Sequence, residues 1–445
     1  MKPIALRALA LIAACAAIAA PVRAQDKAQS VFHDARDYTV RIKAQLATPF
    51  LGDERGSWQG AGFLVDASRR WVITNAHVAA QSPANVQVAF AGEPFRPARR
   101  LYVDSFTDVA ILELSEPVPH AAPAIDCDQP PEIGEGVGVF GHPYGMYFTG
   151  TRGIVSGKTN QIRNDLIQID ATLEPGNSGG PVISLRDGRI VGIATSMVNG
   201  QQKNEHVNFA TPMKDVCRIL DLLGRGIPPE PPLMEFSLLV DPDGRHTLEV
   251  GHTYDPARWP FQPGDRILAV GDEKVETLSN LVTALRGRTG TVTVRVLRAG
   301  HTMDLETRPV LRPSVVARRG ISIDGALLAP AIFEDSPSLS EPARLMVQSV
   351  EPGSQAEALG IAPMDIVQSV DGRTIVDLDM LAAYLDHRHK VPLRIVLRRM
   401  SESSDRWFEL LARDLAGDDV HKVGPAAAAG PDQMGAARPT DRAGH

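Results

Sequence analysis

The sequence predicts a mainly β protein in which one large β domain precedes two small α+β domains. Its 445 residues suffice for about three domains at roughly 150 residues each. Short apolar runs separated by Gly, Pro and Asn fill residues 40–212, and this pattern is typical of β-strands. Further along, residues 263–270 are similar to residues 363–370, which indicates an internal repeat.

The first 24 residues have the composition of a secretory signal peptide. Lys2 and Arg7 precede the apolar run Ala8–Ala20, and Val22–Ala24 offers small side chains for a signal peptidase. The run is short for a membrane-spanning helix. An alternative is lipidation of Cys15, which ends a tetrapeptide similar to a bacterial lipobox, although the apolar run beyond it favours simple cleavage. We expect export to the bacterial periplasm, with membrane contact only if Cys15 is lipidated.

The β region extends over a domain that we predict at residues 25–225. Helical periodicity is absent from residues 40–212 and appears at residues 213–223, where apolar residues recur at helical spacing before a terminating glycine: Val216, Ile219, Leu220, Leu223 and Gly224. One terminal helix should therefore close the domain. The prolines of residues 226–232 then predict an extended linker, because consecutive prolines fix φ and interrupt helices and central strands.

The internal repeat predicts two related small domains, at residues 233–312 and 313–414. The similarity continues in register into a helix, with these apolar positions matched: Val275 with Ile375, Leu278 with Leu378, and Leu281 with Leu381. Residues 415–445 are Ala, Gly, Pro and charged residues without periodicity, so we expect a disordered tail.

Charge and composition exclude some classes of function. The net charge is −7 and no basic stripe is interleaved with aromatic residues, which argues against nucleic-acid binding. We expect no metal and no cofactor, since His387 and His389 lie at a charged helix end without further ligands. Two cysteines remain after the leader, Cys127 and Cys217. They are either a disulfide in an oxidising compartment or two buried thiols.

The segment Glu174–Pro181 carries the clearest chemical signal. A serine nucleophile must project from a tight turn, and neighbouring backbone N–H groups must converge on the oxyanion, which side chains would obstruct. Ser178 in Gly-Asn-Ser-Gly-Gly meets these needs, with the N–H groups of Gly176 and Ser178 as the oxyanion hole. The alternative is an ordinary Gly-rich turn between strands.

Two further residues complete a candidate catalytic triad. His77 follows an apolar strand, and Asp108 directly precedes one, so both can lie at strand ends near a cleft. Either alone is ambiguous, because a lone histidine is usually structural and the aspartate suits an ordinary turn. Together with Ser178, in the order His, Asp, Ser, they match the chymotrypsin arrangement.

The chain resembles the HtrA/Deg family of trypsin-fold serine proteases with C-terminal PDZ domains. The resemblance covers most of the mature chain and rests on these segments: Gly60–Phe63, Thr74–Val78, Asp108–Leu112, Gly153–Ser156, Ile169–Ala171, Gly176–Pro181 and Phe209–Pro212. It implies a trypsin-like double β-barrel followed by two PDZ-like domains, and a serine endopeptidase that cleaves unfolded or misplaced polypeptides. The rival interpretation is a chaperone-like or scaffold protein with little proteolysis.

The resemblance also implies finer roles. A substrate pocket that favours small or medium aliphatic residues is expected from five residues: Thr172, Leu173, Thr195, Ser196 and Met197. In the second PDZ-like unit Gly320, Ile321, Ser322 and Ile323 stand where the carboxylate-binding loop should be, so C-terminal peptides are expected partners. The first unit is divergent, with Trp259 among the residues that replace small ones, and either unit could serve for packing only. In this fold a Cys127–Cys217 disulfide is plausible, and the family implies a homotrimer or higher multiple.

Overall fold

The computed structural model describes residues 22–128, 130–159, 165–195, 208–242, 246–330, 345–388, 392–400 and 408–424. For residues 22–26 only the backbone is described. Cys15, Ser196, Met197 and His389 lie outside the described residues. Within the described part of the chain, no helix is long and apolar enough to cross a membrane.

The first β-barrel is closed and antiparallel. Its strands follow one another in the order β1-β2-β3-β6-β5-β4. They are β1 (Thr39–Leu46), β2 (Gly56–Asp66), β3 (Trp71–Thr74), β4 (Asn85–Ala89), β5 (Arg96–Asp104) and β6 (Val109–Leu114). Large side chains such as Ile42, Phe63 and Ile111 are fully buried in its core. Burial of these apolar side chains is the main favourable contribution to folding of the barrel.

A second closed barrel of six strands follows, in the order β10-β11-β12-β9-β8-β7. The strands are β7 (Gly136–Gly141), β8 (Thr149–Thr159), β9 (Leu166–Ile169), β10 (Pro181–Ser184), β11 (Ile190–Thr195) and β12 (Asn208–Pro212). The predicted double barrel is therefore confirmed. A disulfide joins Cys127, in the segment between the barrels, to Cys217, with the two Cα atoms 5.8 Å apart.

Helices are few in this part of the chain. They are α1 (Val22–Tyr38), α2 (Ala76–Ala79) and α3 (Met213–Gly224), with a 3-10 turn at Pro143–Gly145. Helix α3 confirms the predicted terminal helix. Helix α1 precedes the region without helical periodicity and was not predicted; it buries Ala28, Val31, Ala35 and Tyr38 at helical spacing, the last three against the barrel core. Two of these four residues are alanines, so the apolar stripe is weak in the sequence.

The linker leads to a first small domain with a sheet ordered β13-β14-β15-β17-β18, in which β16 pairs with β15. Its elements are β13 (Phe236–Val240), β14 (His246–Thr253), β15 (Arg266–Val270), β16 (Glu273–Lys274), α4 (Leu278–Leu285), β17 (Val292–Arg298) and β18 (His301–Thr307). Trp259 and Phe261 pack edge-to-face on Phe236, each with ring centroids 5.0 Å from it. The residues that departed from the family pattern therefore fill this domain's core.

The second small domain contains a seven-stranded sheet in the order β24-β23-β22-β21-β20-β19-β25. After a 3-10 turn at Val315–Ala317 come β19 (Gly320–Ile323), β20 (Ala326–Pro330), β21 (Leu345–Val350), α5 (Gln355–Ala358), β22 (Ile366–Val370), α6 (Leu378–Asp386), β23 (Leu393–Met400), β24 (Phe408–Leu415) and β25 (Val420–Val423). Strands β15 and β22 and helices α4 and α6 stand at the repeated positions.

The tail expected to be disordered from residue 415 is partly ordered. Leu415 ends β24, and Val420–Val423 form β25, which pairs with β19. The pattern of side chains concealed this strand, because only Val423 among its residues is partly buried. Backbone hydrogen bonds hold the strand on the sheet, and composition does not reveal them. Residues 425–445 lie outside the described part of the chain.

Candidate active site

His77 and Asp108 both lie on the first barrel, at adjacent strand ends. His77 is in the single turn α2, which follows β3, and Asp108 directly precedes β6, the strand paired with β3. The Nδ1 atom of His77 is 2.9 Å from Asp108 Oδ2, and the backbone N–H of His77 donates to Oδ1. Asp108 adopts a left-handed φ of 52°, which Asp tolerates better than most residues. This turn directs the carboxylate at the imidazole.

The environment of His77 favours its charged form. Burial opposes protonation, but the charge and hydrogen bond of Asp108 and the charge of Asp53 outweigh it, so the pKa of His77 is raised above its usual value. Asp53 was not among the residues predicted from the sequence. It accepts hydrogen bonds from the backbone N–H and the hydroxyl of Ser82. No motif marks it, since it lies in a loop whose position only the folded barrel defines.

Ser178 lies between β9 and β10 of the second barrel and is docked against the first. Its carbonyl oxygen accepts a hydrogen bond of 2.9 Å from the N–H of Ala61, in β2. The carbonyl oxygen of Ala61 in turn accepts from the hydroxyl of Thr74, which ends β3. The nucleophile loop is therefore connected to the strand that leads to His77. The structure brings the three predicted triad residues to the junction of the two barrels.

The loop has no room for a side chain at Gly176 or at Gly179. A Cβ atom at Gly179 would lie 2.2 Å from both the carbonyl oxygen of Ala61 and the hydroxyl oxygen of Thr74. Gly176 has a φ of +107°, and a Cβ there would lie 2.2 Å from the carbonyl oxygen of His142. A side chain at either position would push the two barrels or the loop apart.

The peptide between Pro175 and Gly176 has a defined orientation. The carbonyl oxygen of Pro175 accepts a hydrogen bond of 2.9 Å from the N–H of Tyr144. The described residues contain no cis peptide bond, and in a trans peptide the N–H points opposite to the C=O. The N–H of Gly176 is therefore directed away from Tyr144.

Thr195, expected in the substrate pocket, contacts Asp108 of the candidate triad. Its buried hydroxyl donates a hydrogen bond of 3.2 Å to Oδ2 of Asp108, the oxygen that also faces His77. Leu173 is buried in the core of the second barrel, whereas the side chain of Thr172 is exposed. The pocket role of Thr172, Leu173 and Thr195 stays a prediction.

His142, near this site, has both ring nitrogens engaged by backbone groups. Its Nε2 is 3.0 Å from the carbonyl oxygen of Val40, and its Nδ1 accepts from the N–H of Phe148. Burial lowers the pKa of His142 to about 4, with a smaller opposing effect of the Val40 carbonyl. This neutral imidazole ties the loop after β7 to β1. Among the described residues, no three His, Cys, Asp or Glu side chains form a group that could hold a metal ion.

The residues proposed as a carboxylate-binding loop form strand β19. Ile321 and Ile323 are buried in the core of the second small domain, so the alternation of the segment favours a strand. The expectation of a loop at Gly320–Ile323 was therefore wrong. The strand pairs with β20 on one side and with β25 on the other.

The sequence of this chain is similar to those of known serine proteases. Residues 60–193 match the model of the trypsin-like peptidase domain. A probable periplasmic serine endoprotease, DegP-like, of Chlamydia pneumoniae is 27% identical over 349 residues, which cover 73% of this chain and 70% of the relative. A protein of the same description from Brucella suis is 27% identical over 410 residues, covering 85% of this chain and 77% of the relative.

Solved structures share the fold. The HtrA-type protease AlgW with a tripeptide aligns with a TM-score of 0.52 at 23% identity, covering 63% of this chain and 97% of that one. The same protease with a decapeptide gives a TM-score of 0.51 at 21% identity, covering 64% of this chain and 98% of that one.

Proposed function

Because this chain belongs to the HtrA/Deg family of serine proteases, we propose that it cleaves unfolded or misplaced polypeptides with the triad His77, Asp108 and Ser178. The chain is an exported serine endopeptidase, and its relatives are named periplasmic. The observation that carries the proposed triad is the hydrogen bond of 2.9 Å between His77 and Asp108, beside the docked loop of Ser178.

In the proposed mechanism, Ser178 Oγ attacks the scissile carbonyl while His77 Nε2 takes its proton. Asp108 accepts the Nδ1–H hydrogen bond, which leaves Nε2 as the free base and stabilises the imidazolium that forms. His77 then protonates the leaving amine, and water hydrolyses the acyl-enzyme by the same steps. Thr195 acts as a positioning residue, since the hydrogen bond from its hydroxyl restricts the orientation of the Asp108 carboxylate.

The oxyanion is proposed to bind to the N–H groups of Gly176 and Ser178. The hydrogen bond from Tyr144 to the carbonyl of Pro175 supports this, because it directs the Gly176 N–H away from Tyr144. Donors that are aimed before the reaction stabilise developing charge without reorganisation, and one such donor contributes roughly 3 to 4 kcal/mol.

The two small domains are proposed to recruit or sense C-terminal peptides, with the second as the better candidate. A sheet edge can accept an extended peptide as an added strand, and β19 would be such an edge if β25 were displaced. The HtrA-type protease AlgW has been solved with a decapeptide and with a tripeptide, and peptide binding is proposed for this chain by analogy. A homotrimer or higher multiple is proposed from the family resemblance.

The test is degradation of casein by the mature chain and by Ser178→Ala. We expect the variant to lose about a million-fold in turnover, because the nucleophile is gone. Labelling of the parent by a fluorophosphonate, absent in the variant, would identify Ser178 as the reactive serine. Full proteolysis by Ser178→Ala would disprove the assignment, and an unlabelled, inactive parent would favour the scaffold interpretation.

A further inference from the structure

Strand β25 lies on the edge of the sheet where a peptide would be added. It runs antiparallel to β19, with Val423 opposite Gly320 and Val420 opposite Ile323. Without β25, β19 would be the edge strand of its sheet. An edge strand with unpaired backbone groups is a template for any extended chain. The chain's own segment therefore takes the place that an external peptide would need.

A buried carboxylate holds the turn that leads into β25. The backbone N–H groups of Gly417, Asp418 and Asp419 donate to Asp324, over distances of 2.6, 3.2 and 3.0 Å. The N–H of Ala416 donates to Gln355. Asp324 is 8% exposed and lies in the turn between β19 and β20. Charge-assisted hydrogen bonds of this kind are strong, so the entry of the segment is well defined.

An exposed ion pair links β25 to the end of helix α6. Lys422 Nζ is 3.9 Å from Asp386, the last residue of α6. Arg319, which directly precedes β19, pairs with Asp379 in the first turn of the same helix. The segment thus pairs with a sheet edge and places a basic residue near the end of a helix that carries acidic residues.

The side chains of β25 contribute little to holding it. Val420, His421 and Lys422 are exposed, and only Val423 is partly buried, against Phe50, Leu327 and Ala329. Segments with few buried apolar contacts open at low free energy. A strand held by its backbone and by one carboxylate can therefore be exchanged for another extended peptide.

We propose that residues 416–423 are an internal ligand, which occupies the peptide-binding edge of the second small domain and must be displaced by an external peptide. The proposal rests on the proposed peptide recognition by that domain. The occupant of this edge is the chain's own segment. The competing partner is an extended peptide with a basic side chain to face Asp386.

The test uses a fluorescein-labelled peptide of sequence Gly417–Gly424 and the full-length chain carrying Ser178→Ala, which prevents cleavage. Asp324 donates its N–H to the carbonyl of Asp419. Because bonded and non-bonded pairs alternate along an antiparallel ladder, His421 and Ser322, two residues further on, form a bonded pair. His421→Pro removes that N–H, whereas the matched control His421→Ala keeps it.

By fluorescence anisotropy we expect His421→Pro to bind the peptide at least tenfold more tightly than the parent, and His421→Ala to bind like the parent. Lys422→Glu places a like charge beside Asp386 on an exposed side chain, and should tighten binding severalfold without affecting folding. Equal affinity in parent, His421→Pro and Lys422→Glu would overturn the proposal.

A second measurement separates this proposal from the proposed function. Casein degradation is measured in the same variants with Ser178 intact. Degradation without any binding of the peptide would refute the internal ligand and leave the protease assignment standing. Tight binding to His421→Pro that unrelated C-terminal peptides do not compete would support the internal ligand and refute recognition of such peptides.

Discussion

Asp53 and Thr195 act on the proposed triad from outside it. Asp53 contributes negative charge that favours the protonated form of His77, in addition to the larger effect of Asp108. Thr195 holds the Asp108 carboxylate through its hydroxyl. In the proposed mechanism His77 acts as a base, which is effective only when it is unprotonated, so its raised pKa should limit activity at acidic pH. We therefore expect local charge to set the lower end of the working pH range.

Asp53→Asn should shift the acidic limb of the rate profile to lower pH. The substitution keeps an oxygen that can accept from Ser82 but removes the charge, so the pKa of His77 falls toward its usual value. Relative activity should therefore rise below neutrality. The measurement is kcat/KM for a fluorogenic peptide as a function of pH. A limb that stays in place would show that Asp53 has no electrostatic effect on His77.

At the level of single elements, His142 links the loop after β7 to β1 in a neutral form. The folded state holds its pKa at about 4, below the usual value of about 6.5 for an unfolded chain. The folded state then binds fewer protons than the unfolded state between these values. The stabilisation is complete above pH 6.5 and is lost as the pH falls toward 4.

His142→Asn should remove this part of the pH dependence. An asparagine amide can donate to Val40 and accept from Phe148, and it does not titrate. Between pH 7 and pH 4 the parent should lose up to about 3 kcal/mol more of its unfolding free energy than the variant does. Urea unfolding at a series of pH values measures this difference. Parallel pH profiles for the two proteins would contradict it.

The two repeated domains each contain an ion pair with a buried aspartate. Asp265 pairs with Arg298 at 2.6 Å in the first small domain, and Asp365 pairs with Arg399 at 2.6 Å in the second. Both aspartates are 1% exposed and precede the repeated strands β15 and β22. The repeat in the sequence thus includes a buried carboxylate, and each domain supplies its own arginine on the strand that pairs with it.

Across the whole molecule, the first small domain is tied to the first barrel by a buried ion pair. Arg286, after α4, donates to Asp104 of β5 at 2.7 Å and to the carbonyl of Pro229 in the linker at 2.8 Å. Burial opposes the charge of each partner, but their attraction outweighs it and lowers the pKa of Asp104. The second small domain contacts the same barrel elsewhere, where Ser349 donates to the carbonyl of Pro49.

Arg286→Met should destabilise the packing of the first small domain on the barrel. The substitution leaves Asp104 buried without its cation, which costs about 3 to 5 kcal/mol, whereas the double variant with Asp104→Leu should recover much of the loss. Limited proteolysis at the linker, carried out at a series of rising temperatures, measures the effect. If the single variant were as stable as the parent, the ion pair would contribute nothing to this interface.

The sequence by itself determined the fold class, the repeat and the candidate triad. Short apolar runs, their separation by Gly and Pro, and the Gly-Asn-Ser-Gly-Gly turn are local properties, because each depends on the side chains and φ angles of neighbouring residues. His77, Asp108 and Ser178 were identifiable for that reason. Helix α1 was missed because two of the four residues of its buried stripe are alanines.

Only the tertiary structure decided which distant groups meet. Asp53 and Thr195 reach the triad, and Asp324 holds the turn before β25, through loops whose positions depend on closed barrels and paired strands. Residues 320–323 form a strand because their alternate apolar side chains are buried, whereas residues 420–423 pair with it through backbone hydrogen bonds, which are independent of side-chain pattern. Contacts between residues far apart in sequence produce no local pattern, so they could not be predicted from neighbouring residues.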